Sequence, residues 1–386
     1  MSDMIYLDHA ATTPLDARVL EAMLPYLTER HWNASSLYGP ARGCRRAVEE
    51  SREVAAAFLG ARPSDIIFTS GGTESDNLAL RGVLSAAPPG KRHLITTRIE
   101  HHAVLHTAQA LERVGVRVTY LDPDRTGRVT AEQVESEIRP DTGLISVMHG
   151  NNEVGSLQPI GEIGSLARSH RILFHVDAVQ TAGQVPIRVR EIPCDLLSLS
   201  GHKMYGPKGT GVLYRRTGLP VAEQMTGGDQ EFGLRAGTEN VAGIVGLAAA
   251  MELAHAELAT TAASETRRLR DLLITGVLGQ ALDASLTGHP QQRLPNHASF
   301  LFPGVEGESL LLNLDLRGIC GSSGAACASG EIEPSHVLLA MGFSPTDARG
   351  ALRLTLGRGN TESQIQRTVA ALRQIVPEVR GLATPG

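Results

Sequence analysis

Over its first two thirds the chain alternates short apolar runs rich in Ile, Val and Leu with longer stretches of helical periodicity, and this alternation restricts the fold more than any other feature. The apolar runs fall at 66–69, 94–97, 116–121, 144–148, 173–176, 196–199 and 211–214, with helical patterns at 76–84, 103–114, 131–138 and 160–169. Helices between strands return the chain to its starting edge, so neighbouring strands can pair in parallel. The predicted fold is α/β, with a mostly parallel seven-stranded sheet covered by helices on both faces. From 241 to about 282 the pattern turns helical and Ala-rich; a separate set of elements then resumes, including 298–302, 308–314, 336–341, 352–356 and 363–375. A domain change near residue 255 is expected, giving a large domain over 16–255 and a smaller α/β domain over 256–386. A chain of 386 residues can bury both cores.

The formal charge of -5 is spread without blocks of one sign, which points to neither a direct nucleic-acid partner nor an anionic membrane. The start, Met1-Ser2-Asp3-Met4-Ile5-Tyr6, lacks the basic and apolar regions of a secretory signal. No stretch approaches the roughly 18 apolar residues of a membrane span, and a cytoplasmic location is expected. Cys44, Cys194, Cys320 and Cys327 include no close pair at metal-ligand spacing, so thiols are predicted, with neither a metal site nor a disulfide framework.

Four segments concentrate polar residues where predicted strands end, the edge at which open α/β sheets bind ligands. In the first, 69–77, a strand runs through Gly71 and Gly72, with Thr73 next, into a helix, a candidate phosphate cup or simply a turn. In the second, Asp177 follows a buried strand, with Gln180 on its face; Asp177 is either a helix cap or the acid that keeps a pyridinium nitrogen protonated. The third is Ser200-Gly201-His202-Lys203. Only three lysines occur, and Lys91 and Lys208 sit in loop and turn sequences, so by elimination Lys203 is the best amine for a covalent bond to a cofactor aldehyde. Ser200 and His202 flank it as candidate phosphate ligands. In the fourth, His101 is suited to stacking on a planar ring and to proton transfer, while His102 should point elsewhere. An amine, a ring-polarising acid and a phosphate cup together specify pyridoxal 5'-phosphate better than any one of them does alone.

Cys327 lies in 320–330, a segment made almost entirely of small residues that cannot bury itself, so its thiol is predicted to be accessible. The other three cysteines read as structural. Arg353 interrupts an apolar strand and needs a partner, either a substrate carboxylate or an internal salt bridge. Asn33, in Trp32-Asn33-Ala34-Ser35-Ser36, is a candidate for further polar contact to substrate.

The segments 6–14, Gly72-Thr73-Glu74-Ser75-Asp76-Asn77, Glu100-His101, Asn151-Asn152-Glu153-Val154-Gly155, 175–180, Ser200-Gly201-His202-Lys203 and Ser323-Gly324-Ala325-Ala326-Cys327 occur in an order that resembles the cysteine desulfurases of the NifS and IscS type, in the class V aminotransferase superfamily. The resemblance spans about 4–375. It implies a fold-type I pyridoxal-phosphate homodimer in which residues 1–15 join the C-terminal small domain. It further implies that Thr73, Ser200 and His202 hold the phosphate, that Asn152, Asp177 and Gln180 contact the ring with His101 stacked on it, and that Thr238 reaches the neighbouring subunit's phosphate. Arg353 with Asn33 or Asn152 would orient the carboxylate of L-cysteine. Cys327 would take its sulfur as a persulfide, for an acceptor protein such as an iron-sulfur scaffold or a tRNA-thiolation carrier. A selenocysteine lyase or a class V aminotransferase would share Lys203 and Asp177, an aminotransferase would have no need for Cys327, and a sulfur-relay scaffold without cofactor would not need Lys203.

Overall fold

The computed structural model describes residues 4–260, 262–323 and 334–383. The chain opens with β1 (Ile5–Tyr6), α1 (Ala17–Leu27) and α2 (Gly39–Leu59). It continues through β2 (Ile66–Thr69), α3 (Gly72–Ala86), β3 (His93–Thr97), α4 (His102–Glu112), β4 (Arg117–Leu121), α5 (Ala131–Ser136), β5 (Thr142–Ser146), α6 (Ile160–Ser169), β6 (Leu173–Asp177), β7 (Leu196–Ser200) and β8 (Gly211–Arg215). Two long helices follow, α7 (Val241–Leu258) and α8 (Ala262–Leu278). The remainder is β9 (Ser285–Leu286), β10 (His297–Leu301), α9 (Gly307–Asp315), β11 (Ile319–Cys320), α10 (His336–Ala340), α11 (Pro345–Ala348), β12 (Ala351–Thr355) and α12 (Glu362–Ala383).

The main sheet has seven strands in the order β2-β8-β7-β6-β5-β3-β4. Both pairings of β8 are antiparallel and the others are parallel. The link from β7 to β8 has no room for a crossover helix, so β8 can only return beside β7 in the opposite sense. Because β8 also reverses against β2, the carboxyl ends of β2, β3, β5, β6 and β7 share one edge.

Side chains alternate across the strands as a sheet covered on both faces requires. Ile66, Phe68, Ile95, Ile145, Phe174, Leu197 and Leu199 pack into one core with residues of α2, α6 and α7, while Ile67, Leu94, Leu144 and Leu196 face a second core with α3 and α4. A third core joins β10, β12, α8, α9 and α12 to Ile5, Leu7 and Ile319. Membership changes between Ala254 on α7 and Leu269 on α8. A small cluster holding Ile99 and Val154 against Leu301, Val337, Leu338 and Met341 lies between these bodies.

Two expectations need correction. The strand predicted at 144–148 occupies Thr142–Ser146. Beyond it, the Met148 N–H leaves the ladder and donates to the buried Glu100 carboxylate at 3.0 Å. The hydropathy expectation also fails, since Val241–Leu258 is long and apolar enough to cross a membrane by length and composition. In the structure this helix packs against α1 and α2 and places Ile244, Leu247, Ala250 and Met251 in the first core. Burial on more than one side accounts for a helix that is apolar all round.

Candidate active site

The shared carboxyl edge of the sheet opens into a cavity of about 390 Å³, within the range of ligand sites. Ala10, Ala11, Gly72, Thr73, Asp76, His101, Met148, Asn152, Asp177, Val179, Gln180, Ser200, His202, Lys203 and Arg353 line it. The nine predicted cofactor contacts other than Thr238 therefore converge in one chain.

At one end, β2 passes through Gly71 into the first turn of α3. Gly71 has φ 150° and, lacking a side chain, cannot cap the helix, so the first-turn amides are left for an external anion. A Cβ on Gly72 would lie 2.6 Å from Val179 Cγ2, so only glycine fits this wall. Across the cavity, Ser200 ends β7, and the His202 ring makes a 3.1 Å hydrogen bond through Nδ1 to Thr12 Oγ1.

Lys203 ends the single 3₁₀ turn Gly201–Lys203 that follows β7. Its Nζ donates to the carbonyls of Ala10 and Ala11, the latter at 2.8 Å. Burial, with Arg353 nearby, brings the amine's pKa down from 10.5 to about 8, against the opposing pull of Asp8 and Asp177. A substantial neutral fraction is thus present near physiological pH, as a nucleophile requires.

Asp177 ends β6, and its Oδ1 accepts the Val179 N–H at 2.9 Å. The helix-cap type of contact is therefore real, and the same carboxyl also faces the cavity. Burial raises its pKa to about 6, partly offset by that hydrogen bond and by Lys203. Gln180 Nε2 donates to Ala10 O at 3.0 Å. His101 caps α4 by accepting the Ala103 N–H at Nδ1, 3.1 Å away, which leaves the proton of the neutral ring on Nε2. Withdrawal from bulk water, with the Lys203 ammonium nearby, pushes its pKa to about 4. His102 points away as expected, its ring centroid 4.9 Å from that of His106 and 4.7 Å from that of His336.

Arg353 has the internal salt bridge that the sequence left open. Nη2 lies 2.7 Å from Asp8 Oδ1, and Nη1 donates to Asn152 O at 2.8 Å. Its buried Nε has no hydrogen-bond partner within the described structure and remains available at the cavity wall.

Two predicted residues stay outside this cavity. Asn33 is exposed, and its side chain accepts the Ser35 N–H at 2.8 Å in a local turn. Thr238 is also exposed, and its loop meets the Asn33 loop where Ser35 Oγ donates to Glu239 Oε1 at 3.4 Å. Cys327 lies outside the described residues. Before it, Ser322 and Arg353 exchange backbone hydrogen bonds; after it, the Ser335 hydroxyl donates to Glu153. Cys44 and Cys194 are buried, but Cys320 is only partly so, because it ends a two-residue strand.

Sequence patterning assigns no role to a buried polar layer that backs the cavity and reaches it at Asp76. His175 bonds Ser146 Oγ at 2.9 Å and Ser198 Oγ at 3.0 Å, and its Nε2 lies 3.6 Å from Asp76 Oδ1. Burial lowers the His175 pKa to about 3. Burial followed by the Asp177 charge keeps the Asp76 carboxyl well above its usual range. Glu100 is likewise raised by burial, to about 8. The available signal was a polar residue interrupting an apolar run, as at His175.

Residues 5–368 match the family model described as aminotransferase class-V. The chain is 48% identical to a cysteine desulfurase IscS from Methanosarcina thermophila, covering 98% of this chain and 93% of that protein. The chain belongs to the cysteine desulfurases of the class-V aminotransferase family. A second cysteine desulfurase IscS, from Dictyoglomus turgidum, is 46% identical over 99% of this chain and 97% of its own length. Among solved structures, a NifS-like protein superposes with a TM-score of 0.91 at 39% identity, covering 97% of this chain and 100% of that one. A structure described as SspA in complex with cysteine gives 0.81 at 38% identity, over 91% and 98%.

Desulfurases of this family carry pyridoxal phosphate, and the residues here fit it. The helix start without a side-chain cap and the crowded Gly72 wall suit a phosphate, the buried Asp177 suits a ring nitrogen, and Lys203 supplies an amine of lowered pKa.

Proposed function

We propose that this desulfurase converts L-cysteine to L-alanine and retains the sulfur on Cys327 as a persulfide. The observation carrying this reading is the convergence of Lys203, Asp177 and the Gly72-Thr73 helix start on one cavity, with Arg353 on its wall. When bound, pyridoxal phosphate supplies an aldehyde for amine capture and a ring that accepts the electron pair from the substrate α-carbon.

The chain's own groups then have separable tasks. The first-turn amides of α3, with Thr73, Ser200 and His202, would hold the phosphate, while Asp177 would hold the ring-nitrogen proton and Asn152 and Gln180 would border the ring. Arg353, pre-aimed by Asp8, presents its guanidinium to the substrate carboxylate. Lys203 Nζ would take the α-proton and return one to the α-carbon before alanine leaves, and His101, with its proton on Nε2, would face the ring. The Cys327 thiolate attacks the substrate sulfur: an S–S bond forms, the C–S bond breaks, and its electron pair stays with the substrate β-carbon. That carbon takes a proton and leaves as the methyl group of alanine.

A homodimer completes the proposal. Thr238 does not line the cavity of its own chain, and Leu20, Leu24 and Leu27 on α1, together with Leu37, Tyr38 and Phe232, are exposed apolar side chains that a second copy would cover. Thr238 would then contact the phosphate in the partner's cavity. The acceptor is a sulfur-carrying or iron-sulfur assembly protein, and the setting is cytoplasmic. Peptide mass spectrometry after incubation with L-cysteine tests the reading. It predicts one added sulfur on Cys327 and release of alanine; alanine without that adduct contradicts the Cys327 route.

A further inference from the structure

We propose that Tyr205 is a positioning residue for Lys203, acting through a strained backbone turn that Arg358 locks in place. The proposal rests on the reading of Lys203 as the reactive amine, two residues before Tyr205.

Tyr205 is buried and has φ 64°, a left-handed conformation that bulky side chains rarely adopt. Such a backbone persists only where its surroundings over-determine it, and strain of this kind clusters at functional sites. Four contacts fix the turn here. The Tyr205 hydroxyl accepts the Arg358 N–H at 2.6 Å, and the Arg358 guanidinium lies over the ring, 4.0 Å from its centroid. The Tyr205 N–H donates to Thr13 Oγ1 at 2.7 Å, and its carbonyl accepts the Asp16 N–H at 3.1 Å.

Arg358 is itself held by Asp16 at 2.6 Å and by Glu257 of α7 at 2.7 Å. Packing is tight enough that a Cβ on Gly357 would lie 2.3 Å from the Tyr205 hydroxyl and 2.2 Å from His9 Nδ1. The same N-terminal segment continues into the site: Thr13 Oγ1 donates to His202 O at 2.9 Å, and Ala10 and Ala11 carbonyls receive Lys203 Nζ. Residues 10–16 therefore lace both ends of the 201–206 turn. Relaxing Tyr205 would loosen the register of that lacing and let Lys203 reach water.

The groups facing Lys203 are Asp8, Asp177 and Arg353, with His101 and His202 beside it. Both histidines are lowered to about 4 and Asp177 lies at about 6, so none of these neighbours titrates near 8, and acylation read on the Lys203 peptide itself separates its midpoint from that of the more distant Glu100. The test compares full-length wild type with Tyr205→Gly, Tyr205→Phe and Arg358→Gln. Cofactor-free protein is acylated at a series of pH values, and Lys203 is followed by peptide mass spectrometry. Pyridoxal phosphate affinity and melting temperature are measured alongside. The proposal expects Tyr205→Gly and Arg358→Gln to move the Lys203 midpoint from about 8 towards 10.5 and to weaken cofactor binding by roughly ten- to a hundredfold. Tyr205→Phe, which keeps the ring and deletes one hydrogen bond, should lie between, and it decides the matter if the others fail to fold. Wild-type midpoint and affinity in the folded variants, with only a lower melting temperature, would overturn the proposal. Failure of wild type to bind pyridoxal phosphate would instead sink the functional reading, and the acylation midpoints would still decide this one.

Discussion

Arg353 Nη2 stands 2.7 Å from Asp8 Oδ1, which joins a strand of the C-terminal core to the segment carrying Ala10 and Ala11. The pair aims the guanidinium while leaving its Nε unengaged at the cavity wall. Arg353→Ala should lower kcat/KM for L-cysteine by about a hundred- to a thousandfold, because a desolvated charge contact of this kind is worth several kcal/mol. The visible absorbance of the bound cofactor should remain. Arg353→Lys should not restore activity, since a point charge cannot serve Asp8, the Asn152 carbonyl and a carboxylate together. Steady-state kinetics with a cofactor titration checks both.

Asp177→Asn removes the charge facing the ring but keeps an acceptor for the Val179 N–H. The turnover rate should fall by roughly a hundred- to a thousandfold, the scale of losing one preorganised electrostatic contact. Cofactor retention should be far less affected, because the proposed phosphate contacts, at the start of α3 and at Ser200 and His202, lie elsewhere. Turnover equal to wild type would remove Asp177 from the proposed mechanism.

Glu100 gives a pH signature in cofactor-free protein. Its folded pKa of about 8 lies above the ordinary 4.5, so the folded state binds the proton more tightly. The resulting stability is complete below about 4.5 and is lost as pH rises through about 8. Asp177 and Glu153, at about 6 and about 7, act with the same sign, so the difference between wild type and Glu100→Gln isolates this residue. The melting temperature of Glu100→Gln should fall less steeply over that window; parallel curves would contradict the assignment.

The parts of this architecture set by local pattern were readable from sequence. All seven strands of the main sheet were anticipated, because each alternates across a sheet buried on both faces, and the chemistry-bearing residues sit where those strands stop. What escaped was long-range and polar. The pairing of Asp8 with Arg353 joins residues at opposite ends of the chain, and no spacing rule predicts it. Tyr205 reads as an unremarkable aromatic until its backbone angle is seen. The places of Asn33 and Thr238 likewise depend on how loops fold across α2, which periodicity does not encode.

One such buried pair is open to a stability test. Arg52 Nη1 and Nη2 meet Glu231 at 2.7 and 2.8 Å, and Glu231 also accepts the Phe68 N–H, although Glu231 and Phe232 both adopt left-handed backbone. Arg52→Ala would strand a buried carboxylate and should cost about 3–5 kcal/mol. The loop leading to Thr238 should become more accessible to protease. Denaturant unfolding and limited proteolysis check the two outcomes.

The most direct measurement is reductive trapping of the cofactor-loaded enzyme with borohydride, followed by peptide mapping. Three lysines make the map unambiguous. The account predicts a phosphopyridoxyl group on Lys203; a label confined to Lys91 or Lys208, or no label at all, would contradict it.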